Sequence, residues 1–391
     1  MDIDKIKYIT KELIKFRTVR PDKNQEQGGN NKANFLDEIN NCMDFILDSL
    51  DNSIIIDKAE NFVQDNSCPI SIAKFYDNKS PDLLVIGHID VVDADENQFH
   101  PFEESGKIYG RGSKDMKSGV AVMIEVMNHY AHLKTKPNIA IAIVSDEESG
   151  SYNGANIIAD KMEYLPKFVI SPDPGERHCV INKEKGFIWF EVITYGRSAH
   201  PSRPWLADCA FDKTFKIWEE IESRFNLSKS EDDWRTSASL IEINKVFQNQ
   251  DASYSLNHSR SIADIVKSSF DIRYTEKEDV ENIKYELKKI IEKYGKENKL
   301  EIKQISPVCY TSKENKFIKQ FKNVVDSIEC NDIPVSPSAG ASDLRFFSSK
   351  GIPCLNFGPD GKNHHNKNEY VKLTSIENFY EIIIKYVDNY L

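Results

Sequence analysis

Apolar residues in the first fifty positions recur at near-helical spacing. Ile6, Ile9, Leu13, Ile14 and Phe16 define one helix, Phe35 to Leu50 a second, and a polar stretch from Asn24 to Asn31 separates them. The texture then changes to short apolar runs. Leu83 to Ile89 (LLVIGHI), Ile139 to Val144 (IAIAIV), Phe168 to Ser171 and Pro353 to Phe357 read as buried strands. Between the first two, Met116 to Leu133 places Val120, Met123, Ile124 and Met127 on one helix face. Strands interleaved with helices predict an α/β sheet covered on both faces. From Gly186 to Pro307 alternating runs, Phe187 to Tyr195 and Ile265 to Tyr274, surround two charged amphipathic helices, Phe211 to Arg224 and Val280 to Tyr294. That α+β texture predicts an inserted domain at 186–307 that splits the main domain into a first part at 1–185 and a second at 308–391.

Composition narrows the partners. A chain of 391 residues, 40% of them hydrophobic, can bury a large core and exceeds the usual size of one domain. Its net charge of −11 argues against nucleic acid or an anionic membrane as partner. The start, Met1-Asp-Ile-Asp-Lys, lacks the basic residues and apolar run of a signal peptide, and no stretch approaches the roughly 18 apolar residues of a membrane span. The expected location is the cytoplasm. Seven scattered cysteines (Cys42, Cys68, Cys179, Cys209, Cys309, Cys330, Cys354) with no C-x-x-C pair are expected to be buried free thiols.

Candidate chemistry gathers where the apolar runs end. Period-two alternation puts His88 and Asp90 on the same side of a strand end, and an imidazole with a carboxylate to orient it is a common metal pairing. A core histidine bonded to Asp90 is the alternative. The loop Gly110 to Lys117 (GRGSKDMK) delivers Asp115 just before a helix, where its two oxygens could bridge two cations or could cap the helix. Ser145 to Gly150 (SDEESG) sets three acids at a strand end, which is costly unless positive charge balances them. Adjacent glutamates in extended backbone face opposite ways, which suits one as ligand and the other as a base acting on activated water; a solvated acidic loop is the plainer reading. Asp173, between two prolines, and the pair His364 and His365 follow the last two runs. Open α/β sheets collect their sites at the carboxyl ends of strands, so the clusters carry weight together that none carries alone.

In this order, GHIDVV, GRGSKDMKSG, SDEESG and H-x-x-N-E resemble the dinuclear zinc exopeptidase and deacylase family, which includes aminoacylase, carboxypeptidase G, acetylornithine deacetylase, succinyl-diaminopimelate desuccinylase and the carnosine-type dipeptidases. The resemblance runs from about residue 80 to the end. It implies a zinc-exopeptidase-like catalytic domain, a mixed sheet covered by helices, with an inserted α+β lid or dimerisation domain. It also implies two divalent metal ions: His88, Asp115 and Asp173 around one, Asp115, Glu148 and His365 around the other, with Asp115 bridging. Zinc is the family's metal, and nitrogen and oxygen ligands suit cobalt and manganese as well. By the same resemblance Asp90 orients His88, Glu147 is the general base, and the H-x-x-N-E spacing selects His365 over its neighbour His364. His200, in GRSAHPS, matches a histidine that reaches the substrate carbonyl oxygen, often across a dimer interface. Asn257, Arg273 with Asp271, Gly340, Ser342 with Asp343, and Arg345 match substrate-binding positions, where a guanidinium suits a carboxylate. Asp271 and Arg273 read equally as a structural strand pair.

Departures from the family pattern bear on substrate. Ala207 and Cys209 stand where the family has glycine and asparagine after His200; Ser118 and Asp93 are smaller changes. Asp173 leans toward a dipeptidase or aminopeptidase, since deacylases and carboxypeptidases of the family tend to carry glutamate there, whereas Ser338 to Phe346 and the Phe357-Gly-Pro context resemble the desuccinylase and deacetylase branch. The expected function is hydrolysis of a small-peptide amide by water activated at two metals, with N-acyl amino acid deacylation, of the acetylornithine deacetylase or succinyl-diaminopimelate desuccinylase type, as the alternative. A catalytically silent binding protein is the reading from another class; the presence of every implied ligand and of the base weighs against it. The expected partners are a small peptide or N-acyl amino acid and a second copy of the chain, joined through the insertion.

Overall fold

The computed structural model describes residues 2–20, 29–59, 68–173, 175, 178–225, 233–246 and 261–391, with the backbone alone at 29–34. The chain divides into two compact units, Met1–Glu184 with Cys309–Leu391, and Lys185–Val308.

In the first unit the strands are β1 (Ile55–Lys58), β2 (Ser71–Lys74), β3 (Leu83–His88), β4 (Phe102–Glu104), β5 (Lys107–Tyr109), β6 (Ile139–Val144), β7 (Val169–Ser171) and β8 (Val180–Glu184). The second unit contributes β9 (Gly186–Tyr195), β10 (Ser237–Lys245), β11 (Ile265–Tyr274) and β12 (Lys299–Ser306). The chain then returns with β13 (Cys309–Tyr310), β14 (Val335–Ser338), β15 (Cys354–Asn356), β16 (Gly361–Lys362) and β17 (Tyr370–Lys372). The main sheet runs β1-β2-β6-β3-β7-β15-β8-β13, with β14 also paired to β8. At its centre β6, β3, β7 and β15 are neighbours and mutually parallel, while β2 runs antiparallel to β6 and β8 antiparallel to β15. The sheet is mixed, as expected. The four parallel strands end at one edge: His88 closes β3, Asp90, Asp146 to Glu148 and Asp173 follow the strand ends, and His365 comes after β15 and the short β16.

The apolar runs are continuous because both faces are covered. Leu83, Val85, Ile139, Ile141 and Ile143 enter the core on one side, Leu84, Ile86, Ala140, Ala142 and Val144 the core on the other. The first core also takes side chains from α1 (Ile3–Lys15), α2 (Gly29–Asp48), α3 (Ser118–Ala131), and two later helices, Lys316–Glu329 and Leu373–Tyr390. The second core takes Ile157, Ile158 and Tyr164, with Phe346 and Phe347 from a short helix, Arg345–Ser348. A small sheet, β16-β17-β5-β4, joins the Phe102–Tyr109 hairpin to the C-terminal segment.

Two helix boundaries differ from expectation. The second helix begins inside the polar stretch, at Gly29. The third begins at Ser118, because Ser113–Lys117 is a π-turn in which Asp115 (φ −121°, ψ 93°) and Met116 (φ −136°) leave helical geometry. Asp115 therefore does not cap α3, whose first turn has no side-chain cap.

The second unit is an antiparallel sheet, β10-β11-β9-β12, with α4 (Ala210–Phe225) and α5 (Val280–Lys293). Alternate residues Ile188, Phe190 and Val192 of β9 pack with Ile217 and Ile221 of α4 and Ile283 and Leu287 of α5, whereas Trp189 is exposed. Among the described residues no helix is long and apolar enough to cross a membrane. All seven cysteines are thiols, but Cys330 is exposed and Cys209 half-buried, which corrects the expectation that all are buried.

Ile141 lies mid-strand in the larger core and is 1% exposed. Ile141→Ala is expected to lower stability by about 2–5 kcal/mol through lost transfer energy and the cavity left behind, read as a drop in the urea midpoint by far-ultraviolet circular dichroism.

Candidate metal centre

The strand β3 ends on His88, which is 1% exposed. Its Nδ1 lies 2.9 Å from the Asp90 backbone carbonyl. A carbonyl only accepts, so Nδ1 is the donor; against burial, Asp115 and Asp90 raise the pKa of the ring, so that without metal Nε2 also carries a proton toward Asp115, in the place a cation would take. Nε2 stands 3.2 Å from Asp115 Oδ1. The Asp90 carboxylate also lies behind the ring, with Oδ1 3.6 Å from Nδ1. It accepts in addition from the backbone N–H groups of Glu147 (3.2 Å) and Glu148 (3.0 Å), and so fixes the acidic turn that follows β6.

Asp115 reaches the centre through its own backbone. Gly112 (φ 82°) lies in the left-handed region that favours glycine, and the non-helical Asp115 and Met116 complete the turn. The Asp115–Met116 peptide is cis. While Oδ1 faces His88, Oδ2 lies 3.1 Å from His365 Nε2, and the same nitrogen is 3.0 Å from Glu148 Oε1. His365 itself has φ 58°, a conformation uncommon for a residue with a Cβ and typical of functional sites. Close approach also fixes Gly358 on this loop, because a Cβ there would lie 1.9 Å from the Pro172 carbonyl oxygen.

Asp115, Glu148 and His365 offer ligand atoms that all lie within 4.8 Å of one another. Ligands held 2.0–2.1 Å from a tetrahedral ion are about 3.3 Å apart, close to the 3.0 and 3.1 Å separations from His365. One carboxylate with an imidazole at each oxygen has the donors to bridge two cations, although among the described residues only Asp115, Glu148 and His365 draw together as one ligand group. The electrostatics agree. Burial, together with Asp173 and Asp343, pushes the Glu147 carboxyl well above its ordinary range against the charge on His88. Burial followed by the Asp115 charge does the same to Asp173. Glu148 is raised by burial in spite of the His365 hydrogen bond, and Asp146 is pushed up to about 7 by burial, then by Asp90 and Asp343. Burial opposes the charge of Asp115 too, but hydrogen bonds from His365 and His88 hold it far below the usual carboxylate range. A crowd of carboxylates that resists ionisation is short of positive charge, and divalent cations supply it.

Asp173 stands beside this group without joining it by hydrogen bonds; its backbone N–H donates to Ser171 Oγ at 3.2 Å. His364 lies against Lys114, with Nδ1 3.1 Å from Lys114 Nζ, which also donates to the Gly175 carbonyl at 2.9 Å.

The proposed substrate-binding residues are more scattered. Arg345, expected to meet a substrate carboxylate, is 2% exposed and donates to the backbone carbonyls of Ser342 and Gly150, each at 2.6 Å. It ties the Ser342 turn to the acidic turn, which corrects that expectation. Ser342 is buried, its Oγ donating to Glu184 at 2.7 Å, and Asn356 donates to the other Glu184 oxygen at 2.9 Å. Gly340 is exposed. In the second unit Arg273 makes a two-point ion pair with Asp271 (2.7 and 3.2 Å) over the Phe187 ring, the structural strand pair. His200 is exposed, and its Nδ1 accepts from the Ser202 N–H at 3.2 Å, which leaves Nε2 of the neutral ring as a donor. Asn257 lies outside the described residues.

Glu369 and Glu184 were not among the expected site residues. Glu369 lies inside the quoted H-x-x-N-E motif, which was its only signal; Glu184, at the end of an ordinary strand, had none.

Residues 84–389 match peptidase family M20/M25/M40. The protein is a metallohydrolase, and the chain belongs to that family. Succinyl-diaminopimelate desuccinylase of Pelagibacter ubique (strain HTCC1062) is 27% identical over 355 residues, covering 85% of this chain and 89% of its own. Among solved structures, aminopeptidase PepT from Bacillus cereus superposes with a TM-score of 0.71 at 17% identity, covering 99% of this chain and 98% of its own. A dinuclear metal-binding peptidase of family M20 from Bacillus subtilis gives 0.63 at 11%, covering 98% and 97%. At those identities the structural likeness is one of fold.

Without metal, hydrogen bonds to Asp115 and Glu148 push His365 from 6.5 up to about 10. A folded-state pKa raised in this way stabilises fully below the unfolded value of 6.5 and ceases to do so as pH climbs through about 10. The stability difference between metal-free wild type and His365→Ala is therefore expected to shrink across that window in urea denaturation.

Proposed function

We propose that the protein hydrolyses the amide bond of small peptides, at a centre in which His88, Asp115 and Asp173 hold one divalent cation and Asp115, Glu148 and His365 hold a second. The observation that carries this reading is the placement of Asp115, with one oxygen on each imidazole. Bound there, two cations supply Lewis acidity, which lowers the pKa of water and polarises a carbonyl; zinc is the proposed metal. Glu147 is the general base. Burial raises its affinity for a proton, so that the ionised carboxylate, balanced by the cations, would take one from the attacking water and, now neutral, pass it to the leaving amine. Asp90 holds the Glu147 and Glu148 amides and so sets where both side chains project. By resemblance His200 donates to the developing oxyanion, a role that suits a ring with its proton on Nε2. By the same resemblance the Lys185–Val308 unit serves as lid and joins two copies of the chain.

The peptide reading rests on Asp173 and on Arg345, whose guanidinium is occupied by backbone carbonyls and so does not read a substrate carboxylate. A second reading, deacylation of an N-acyl amino acid, is favoured by the likeness to desuccinylases along most of the chain. Assay of the zinc-loaded protein on di- and tripeptides beside N-acetyl and N-succinyl amino acids separates the two; peptide cleavage alone supports the first.

Glu147→Gln is expected to lower kcat by about 10²–10⁴-fold with zinc content unchanged; wild-type turnover in that variant would remove Glu147 from the mechanism. Asp115→Ala is expected to lose zinc, by elemental analysis of dialysed protein. His200→Ala is expected to reduce kcat by about 10²–10³-fold with little change in KM, whereas a change confined to KM would make it a binding residue.

A further inference from the structure

Asp115 is held from behind by a residue that faces no proposed cation. Glu369 is fully buried and lies four positions after His365. Its Oε1 accepts from the backbone N–H groups of Lys114 (2.9 Å) and Asp115 (3.1 Å). Its Oε2 accepts from the Gly112 N–H (3.1 Å) and from the Arg111 guanidinium (2.6 Å). The Glu369 backbone carbonyl accepts from the Gly110 N–H at 3.0 Å.

One side chain thus satisfies three amides of a loop that is neither α-helix nor strand where Asp115 sits, and amides buried without partners are costly. No neutral replacement does the same. Glutamine brings one acceptor oxygen to four donors, and its amide group would face N–H groups; aspartate is a methylene short. Because Glu369 stands on the strand-turn segment that also presents His365, its bonds reinforce the contact of two loops that includes the 3.1 Å approach of His365 to Asp115.

We propose that Glu369 is a positioning residue: through the Gly112, Lys114 and Asp115 amides it fixes Asp115 against His365 and thereby sets how tightly the centre keeps its metal. This rests on the reading of Asp115 and His365 as ligands. A mere fold anchor would lower stability with or without metal, whereas a positioning residue acts on metal retention.

The test is zinc affinity by chelator competition for wild type and Glu369→Gln, beside the melting temperature of each metal-free protein. The expected result is a loss of about 10–100-fold in zinc affinity, beside a lower metal-free melting temperature from the donors that glutamine leaves unpaired. Unchanged affinity overturns the proposal, and so does a fall in metal-free melting temperature with affinity intact. Should Glu369→Gln fail to fold, the double variant Arg111→Gln/Glu369→Gln, which leaves no buried unpaired guanidinium, is read by the same criteria. Wild type that takes up no zinc, or Asp115→Ala that keeps all of it, refutes the metal centre itself; wild type that binds zinc while Glu369→Gln binds it equally refutes only the role of Glu369.

Discussion

The approach of His88 and His365 to the two oxygens of Asp115, at 3.2 and 3.1 Å, organises the catalytic unit. A carboxylate in that place is buried, and burial alone would favour its neutral form. The imidazoles reverse that preference, and each needs its own support. His88 has the Asp90 carbonyl behind it, and His365 sits on a turn of positive φ. Asp115 has the Gly112 turn and four donors gathered on Glu369. The parallel strands bring these loops to one edge, so the sheet's topology and the centre's geometry are a single requirement.

Around that contact the remaining acids are restrained by backbone more than by cations. Asp90 accepts from two amides, and Glu184 from the Ser342 N–H, the Ser342 hydroxyl and Asn356. Arg345 and Lys114 spend their charge on carbonyls of neighbouring turns. Such hydrogen bonds orient a side chain without neutralising its neighbours, and the centre keeps its demand for positive charge.

Much of this was legible in the sequence, for stated reasons. Strands such as Ile139–Val144 announce themselves because a sheet covered on both faces needs no polar alternation. His88, Asp115, Glu148 and His365 stood out because acids and imidazoles after apolar runs have few other uses. What stayed hidden depends on partners distant in the chain. Glu369 in NHHNKNEY reads as solvated until β17 pairs with β5 and buries it against Gly110. Arg345 reads as a ligand for carboxylate until the Ser342 and Gly150 carbonyls meet it. The π-turn at Asp115 hides for another reason: its residues are ordinary helix formers, and the local conformation is imposed from outside by Glu369.

The position of β15 in the main sheet carries a consequence for how the chain matures. Cys354–Asn356, near the C-terminus, lies between β7 and β8, which both precede the second unit in sequence. As the polypeptide leaves the ribosome, the first 184 residues therefore emerge with the slot for this strand vacant, and β7 and β8 cannot adopt their final neighbours. Closure waits until β15 has been made, and the segment that follows it brings His365 and Glu369. Sheet completion and assembly of the centre are thus neighbouring events, and no nascent chain that stops short of Glu369 can display the finished site. The arrangement places the burden of protecting an open apolar sheet on the period when the Lys185–Val308 unit is being made.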